Sequence, residues 1–199
     1  TFIVSDEDYT NTNFSGDGSI SVGTESGYGT IRALLKFDLP TLNKGDMVVD
    51  ANLNLYQISA RFYTQSMPDQ QIDLHPMTAN WNTSVKWNTN TDGTLIRNAF
   101  NSVIYDYLYI RQSEGESNVW KALDITRAVK EWYEGTKPNY GIMLKKHSED
   151  GYAAYAQFYV ENNNSSSLFP VIEINYRNNK GLEDYWTYTT VGVEDAGTA

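Results

Sequence analysis

Ile31-Arg32-Ala33-Leu34-Leu35-Lys36-Phe37-Asp38-Leu39-Pro40 decides the fold class. Ile31, Ala33, Leu35, Phe37 and Leu39 alternate with Arg32, Leu34, Lys36 and Asp38. A period of two puts successive side chains on opposite faces of a strand, so this run predicts a half-buried strand that ends at Pro40. The same period recurs on either side. Ala51, Leu53 and Leu55 alternate with Asn52, Asn54 and Tyr56, and Ile72 and Leu74 alternate with Asp73 and His75. Residues 140–145, 154–160 and 171–176 repeat it, and 19–22, 104–109 and 119–123 do so more weakly. Turn-forming clusters separate the runs: Ser15-Gly16-Asp17-Gly18, Asn43-Lys44-Gly45-Asp46, Asn90-Thr91-Asp92-Gly93 and 162–167. Many short strands punctuated in this way predict an all-β, antiparallel jelly-roll sandwich of about ten strands.

One segment departs from the period of two. In Asp124-Ile125-Thr126-Arg127-Ala128-Val129-Lys130-Glu131-Trp132-Tyr133-Glu134-Gly135, Ile125, Val129 and Trp132 fall at i, i+4 and i+7. That spacing gives one apolar stripe and predicts one short helix closing an end of the sandwich. Asp124 or Thr126 is the expected N-cap and Gly135 the stop.

Composition narrows the function classes. The chain has 199 residues, 40% hydrophobic and 20% charged, enough for one medium domain or a domain with a tail. No apolar run approaches the roughly 20 residues of a spanning helix, so membrane insertion is not expected. With 25 acidic and 15 basic residues the formal charge is −10, which disfavours nucleic acid and anionic membrane surfaces. Zero cysteines remove disulfides, thiol catalysis and cysteine-based metal sites. The chain opens at Thr1-Phe2-Ile3-Val4 with no leader, and reads as a segment of a longer protein.

Catalytic signatures are missing. The two histidines, His75 and His147, lie far apart, and the zinc-protease, nucleophile-elbow and P-loop patterns do not occur. With 25 acidic residues, some carboxylate pair always sits at a suitable distance for glycoside hydrolysis, and nothing singles one out. Asp6-Glu7-Asp8 with Asp17 offers oxygen ligands for a structural calcium, without the spacing of an EF-hand. A solvated acidic strand edge explains the same residues. No other cofactor is expected.

The order of several motifs resembles a known family. Arg32-Ala33-Leu34-Leu35-Lys36-Phe37-Asp38-Leu39 is followed by Asp50-Ala51-Asn52-Leu53-Asn54-Leu55, then Trp81 and Trp87-Asn88. Leu123-Asp124-Ile125-Thr126, Val129 and Trp132 come next, then Tyr140-Gly141-Ile142-Met143-Leu144 and Phe169-Pro170-Val171-Ile172-Glu173-Ile174. This series resembles the DNRLRE domain family of extracellular β-sandwiches from bacteria and archaea. Gly181-Leu182-Glu183-Asp184-Tyr185-Trp186-Thr187-Tyr188 is similar to the segment leading into the RHS/YD-repeat shell of wall-associated proteins. The resemblance implies a secreted, cell-wall or surface-associated setting, a carbohydrate-binding role and no catalytic residues. Residues 1–177 are then the sandwich, and 178–199 an extension toward adjacent domains of the same polypeptide. Asn82-Thr83-Ser84-Val85-Lys86, between the two tryptophans, lacks the acidic residue often seen there in the family. No role tied to that acid carries over.

Strand parity supplies the candidate ligand-binding residues: Arg32, Asn54, Tyr56, His75, Tyr155 and Tyr159, with Gln157 and Glu173 in the same outward phase. Rings stack on the apolar face of a pyranose, while amides and guanidinium groups take its hydroxyls. Ordinary cross-strand pairing on a solvated sheet is the competing explanation. Parity does not say which sheet a strand joins, so the residues need not share a face. Phe37, Trp87, Trp132 and Phe158 are expected in the core, and Trp81 is expected to plug the sandwich end beside Trp87. The leading expectation is a non-catalytic module that binds a polysaccharide or glycan. A structural spacer without a small-ligand site is the alternative, and a glycan-degrading enzyme ranks last.

Overall fold

The computed structural model describes residues 1–64, 67–112, 117–149, 152–160 and 166–178, and the backbone of 183–188. Among the described residues thirteen strands run in chain order as β1 (Phe2–Val4), β2 (Ser19–Glu25), β3 (Gly29–Leu35), β4 (Met47–Phe62), β5 (Gln70–Pro76), β6 (Asn90–Thr91), β7 (Thr94–Leu95), β8 (Asp106–Ile110), β9 (Val119–Asp124), β10 (Ile142–Lys146), β11 (Ala154–Tyr159), β12 (Val171–Arg177) and β13 (Glu183–Tyr188). Helix α1 (Thr126–Tyr133) follows β9. Eleven strands form one antiparallel sheet in the order β13-β12-β4-β11-β2-β3-β10-β5-β8, with β1 added on β3 and β9 on β4. Strands β6 and β7 make a separate small hairpin.

The sheet curls until its ends meet. Lys121 Nζ of β9 donates to Tyr109 O of β8 (3.2 Å), and the Asp124 amide donates to Asp106 Oδ2 (2.6 Å). A nearly closed sandwich leaves few free edges for pairing with other chains. Its interior is filled by the residues the alternation predicts: Ile31, Ala33, Leu35, Leu53, Leu55, Ile72, Leu74, Leu144, Phe158 and Ile172 are all buried in one cluster.

Strand β4 carries the largest departure from simple alternation. It is 16 residues long and pairs with β12 over its first half, β11 over its second and β9 across its middle. Its register with β11 shifts between Gln157 and Phe158, so Gln157 faces Ser59 while Phe158 faces Gln57. The bulge at Ile58 reverses the inward phase, and Ser59 and Arg61 face outward where uninterrupted alternation would put Ile58 and Ala60. Strand β3 ends at Leu35, short of the expected Leu39. Asn139 Nδ2 donates to the Phe37 carbonyl (2.9 Å), and Gly141 at φ +82 lies where a Cβ would come within 3.0 Å of Lys36 Cα. Phe37 is nonetheless buried.

The helix forms where predicted. Ile125, Ala128 and Val129 are buried and Trp132 is half-buried against the core. The N-cap differs from the expected Asp124 or Thr126: it is Ile125, without a side-chain cap, while Asp124 Oδ1 accepts from the Thr126 amide (2.8 Å) just ahead of the helix and Thr126 Oγ1 is used to accept from the Ala51 amide of β4 (2.8 Å). Gly135 at φ +69 ends the helix in the left-handed conformation that glycine adopts without strain.

Segment 77–105 was not anticipated as a layer. It lies over the outer surface of β3 and β10 and builds a second core from Ile3, Leu34, Met77, Ala79, Val85, Ile96, Ala99 and Met143, with Trp81, Trp87, Phe100 and Tyr140 packed against it. Trp81 is half-buried there, its indole N–H donating to Tyr140 O (2.7 Å). The expected plug beside Trp87 is present in that partial form.

Strand β13 pairs with β12 from Arg177–Glu183 to Ile172–Tyr188, so the chain after residue 177 adds an edge strand to the sheet. Residues 179–182 and 189–199 of the expected extension lie outside the described residues, as do the side chains of 183–188.

Candidate functional site

The six outward candidates divide between two surfaces. Asn54 and Tyr56 of β4 and Tyr155 and Tyr159 of β11 share one face, together with Gln157 and with Glu173 of β12. Arg32 and His75 point away from the core as parity requires, but the 77–105 layer covers them, and they are 8% and 4% exposed. The expectation that these two stand on an open face is therefore corrected.

Their partners explain the burial. Arg32 forms a bidentate pair with Glu149, Nε to Oε1 at 2.7 Å and Nη2 to Oε2 at 2.6 Å, and also donates to the Arg97 carbonyl. Its guanidinium lies 5.0 Å from the Trp87 ring centroid. All sides of this cation are occupied, and it ties the 77–105 layer and the turn after β10 to the sheet. His75 donates from Nδ1 to Asn101 O (2.8 Å) and packs edge-on against Phe100 at 5.0 Å. Its Nε2 faces Asp73 Oδ2 at 3.9 Å, and burial lowers its pKa below the ordinary histidine value.

The open face is ordered by strand register. Tyr56 pairs with Trp120 of β9, and Tyr159 lies on its other side. The Tyr56 and Trp120 rings meet edge-on at 5.3 Å, and the Tyr56 and Tyr159 rings lie 5.9 Å apart at 29°. Three rings thus form a row across β9, β4 and β11, with Asn54 one step along β4. The next row is polar: Ser59 Oγ donates to Gln157 Oε1 (3.0 Å), and Gln157 Nε2 reaches Ser21 Oγ (3.5 Å). Tyr155 closes the strip opposite Gly23 of β2. Gly23 has φ +140, and a Cβ there would stand 2.6 Å from Tyr155 Cα, so glycine is required for the two strands to approach. Tyr155, paired with Gly23 and Arg61, is only 7% exposed, so its expected place among the exposed rings is corrected as well; burial raises its pKa.

Beyond Tyr155 the wall opens. Strand β3 carries β1 on one edge and β2 on the other, and a cavity of about 280 Å³ near the β2 side is lined by Phe14, Ser21, Glu25, Tyr28, Tyr155 and Gln157 among others. Trp120, 43% exposed, is the residue that sequence reasoning missed. The signal was present: Trp120 is out of phase with the buried Leu123 on the same strand.

The acidic N-terminal stretch serves a turn. Asp6 Oδ1 accepts from the Asp8 amide (3.1 Å), and the Asp6 carbonyl accepts from Tyr9 and Thr10. Among the described residues no three Asp, Glu or His side chains converge to hold a metal ion, and no helix is long and apolar enough to cross a membrane.

A rigid β-sandwich that presents a row of rings beside amides and hydroxyls on one outer sheet face has the architecture of a carbohydrate-binding module. The chain belongs to carbohydrate-binding module family 96, whose family model matches residues 2–176. No curated protein matches its sequence.

Proposed function

We propose that the domain binds a neutral glycan chain on the outer face of β9, β4, β11 and β2, and that it performs no catalysis itself. The observation that carries this reading is the row Trp120–Tyr56–Tyr159 on paired strands, with Asn54 and Gln157 beside it. Rings fixed on strands lose little freedom on binding, so stacking is offset by a small ordering cost. The rings do not form one plane, since Trp120 stands at 75° to Tyr56. That geometry suits a single twisted chain with sugars stacking on one ring and abutting another. The formal charge of −10 weighs against polyanions.

The resemblance of the motif order to DNRLRE domains supports a finer setting. In it the module is part of a secreted bacterial or archaeal surface protein and, beside further domains of the same polypeptide, attaches that protein to wall, matrix or host polysaccharide. Weak single-site affinity would then be raised by several modules on one chain.

The test is titration with neutral and acidic polysaccharides at low and high salt, on wild type, Tyr56→Ala and Trp120→Ala. Salt-insensitive binding of a neutral glycan, weakened about tenfold in each variant, is the expected result. Stronger, salt-sensitive binding of an acidic polysaccharide would overturn the neutral-ligand reading, and unchanged affinity in both variants would remove the face.

A further inference from the structure

A second concave site lies away from the ring row, between the end of β3 and the 80–92 segment. It encloses about 510 Å³ and is lined by Lys36, Asn80, Trp81, Asn82, Ser84 and Thr89, with the β6–β7 hairpin forming its far wall. That volume is within the range of small-molecule pockets. Its walls are held from behind. The Trp81 indole N–H is anchored on Tyr140 O, and the ring packs against the second core. Asn80 Oδ1 accepts from both Lys36 Nζ (3.1 Å) and the Trp81 amide (3.0 Å). Asn82 Oδ1 accepts from the amide and hydroxyl of Ser84. The hairpin is set by Asp92 at φ +51 and Gly93 at φ +83, with Asn90 Oδ1 accepting from the Gly93 amide.

We infer that this cleft is a separate sugar site that takes a neutral terminal residue of a glycan. Four observations converge. One half-buried indole supplies an apolar wall for a pyranose face. Both asparagines engage their carbonyl oxygens within the protein, and the amide NH2 groups have no hydrogen-bond partner among the described residues, which keeps them as donors for sugar oxygens. Thr89, Thr91 and Ser84 add hydroxyls. Lys36 and Asp92 are the cation and the anion of the lining, so its charge balances and an anionic sugar gains nothing from it. A short cleft of this volume accepts one or two units, whereas the ring row on the open face accepts the middle of a chain. The cleft stands on its own cavity and does not depend on the ring row.

Two-dimensional amide NMR of the whole chain tests it. The probes are the methyl glycosides of glucose, galactose, mannose and xylose, their β-linked disaccharides, and glucuronate as an acidic control. Saturable shifts are expected at the Trp81 indole N–H and the Asn80 and Asn82 side-chain amides with at least one neutral probe, and none with glucuronate. Trp81→Ala should weaken that response about tenfold. Because Trp81 also packs against the second core, Lys36→Ala gives an independent reading: a folded spectrum with weakened response. Tyr56→Ala should leave the cleft response unchanged. Shifts confined to the Trp120–Tyr56–Tyr159 row would overturn the cleft while leaving that face intact. Silence at the cleft with every neutral probe, or a response to glucuronate alone, would also overturn it.

Discussion

Arg32 shows how a residue type misleads when its cover is unknown. An outward arginine on a strand next to an outward amide reads as a hydroxyl-binding pair. Here it is a strut whose charge is matched by Glu149 and whose plane lies against Trp87. Removing one partner of a buried pair strands the other, at about 3–5 kcal/mol. Glu149 keeps about a fifth of its side chain in solvent, so Arg32→Ala should cost about 3 kcal/mol, the low end of that range. Urea denaturation would read this as a lower midpoint at constant slope, with glycan affinity of the folded protein unchanged. His75 gives a second prediction. Its folded pKa is depressed by burial, so the unfolded chain binds its proton first on acidification. The associated stability is present above about pH 6.5 and is lost as pH falls from there toward the lower folded value. Stability curves of His75→Gln should be flatter than wild type over that window, and an identical slope would refute the assignment.

Among the elements, β2 and β11 owe their close approach to Gly23. A side chain there meets the Ala154–Tyr155 backbone and must hold a positive φ, so Gly23→Ala should destabilise the fold by about 2 kcal/mol or more and displace Tyr155. A thermal transition within a degree or two of wild type would contradict this. The helix is the second case. Eight residues cannot sustain a helix alone, so α1 depends on Ile125, Val129 and Trp132 against the sheet and on Thr126 bridging to Ala51. Trp132 is half-buried, and Trp132→Ala should cost about 3 kcal/mol, measured as lost melting temperature without a new ligand phenotype. The helical period and its stop at Gly135 were legible because they depend on neighbours in the chain. The bulge at Ile58 was not, because it lies where one edge of β4 passes from β12 to β11, a change of partner that no local pattern encodes.

On the scale of the molecule, the curled sheet gives an outer surface of two kinds. Around β9, β4, β11 and β2 it presents rings and amides, and around β3 and β10 the 77–105 layer covers it. Strand β13 extends the sheet past the end of the family match at residue 176. Truncation after Asn178 removes that edge pairing and should lower the melting temperature. An unchanged transition would show that the sandwich is complete without it.

The sequence by itself determined what depends on short-range periodicity. It specified an antiparallel all-β sandwich, nine of the strand positions, the single helix, the buried set around Leu35, Leu53, Leu74 and Phe158, and Tyr56 and Tyr159 on an outward face. Alternation is a property of one strand, so it carries over to any strand arrangement. Which outward faces meet solvent was decided only by tertiary structure. Tyr56, Trp120 and Tyr159 come together because β4 pairs with β9 on one side and β11 on the other, across separations of more than sixty residues that no local pattern encodes. Arg32 and His75 have the same phase and are sealed off because a long connection between β5 and β8 has enough apolar residues to build a core of its own. Burial is a relation between distant segments, and a strand's period specifies direction without specifying what lies in that direction.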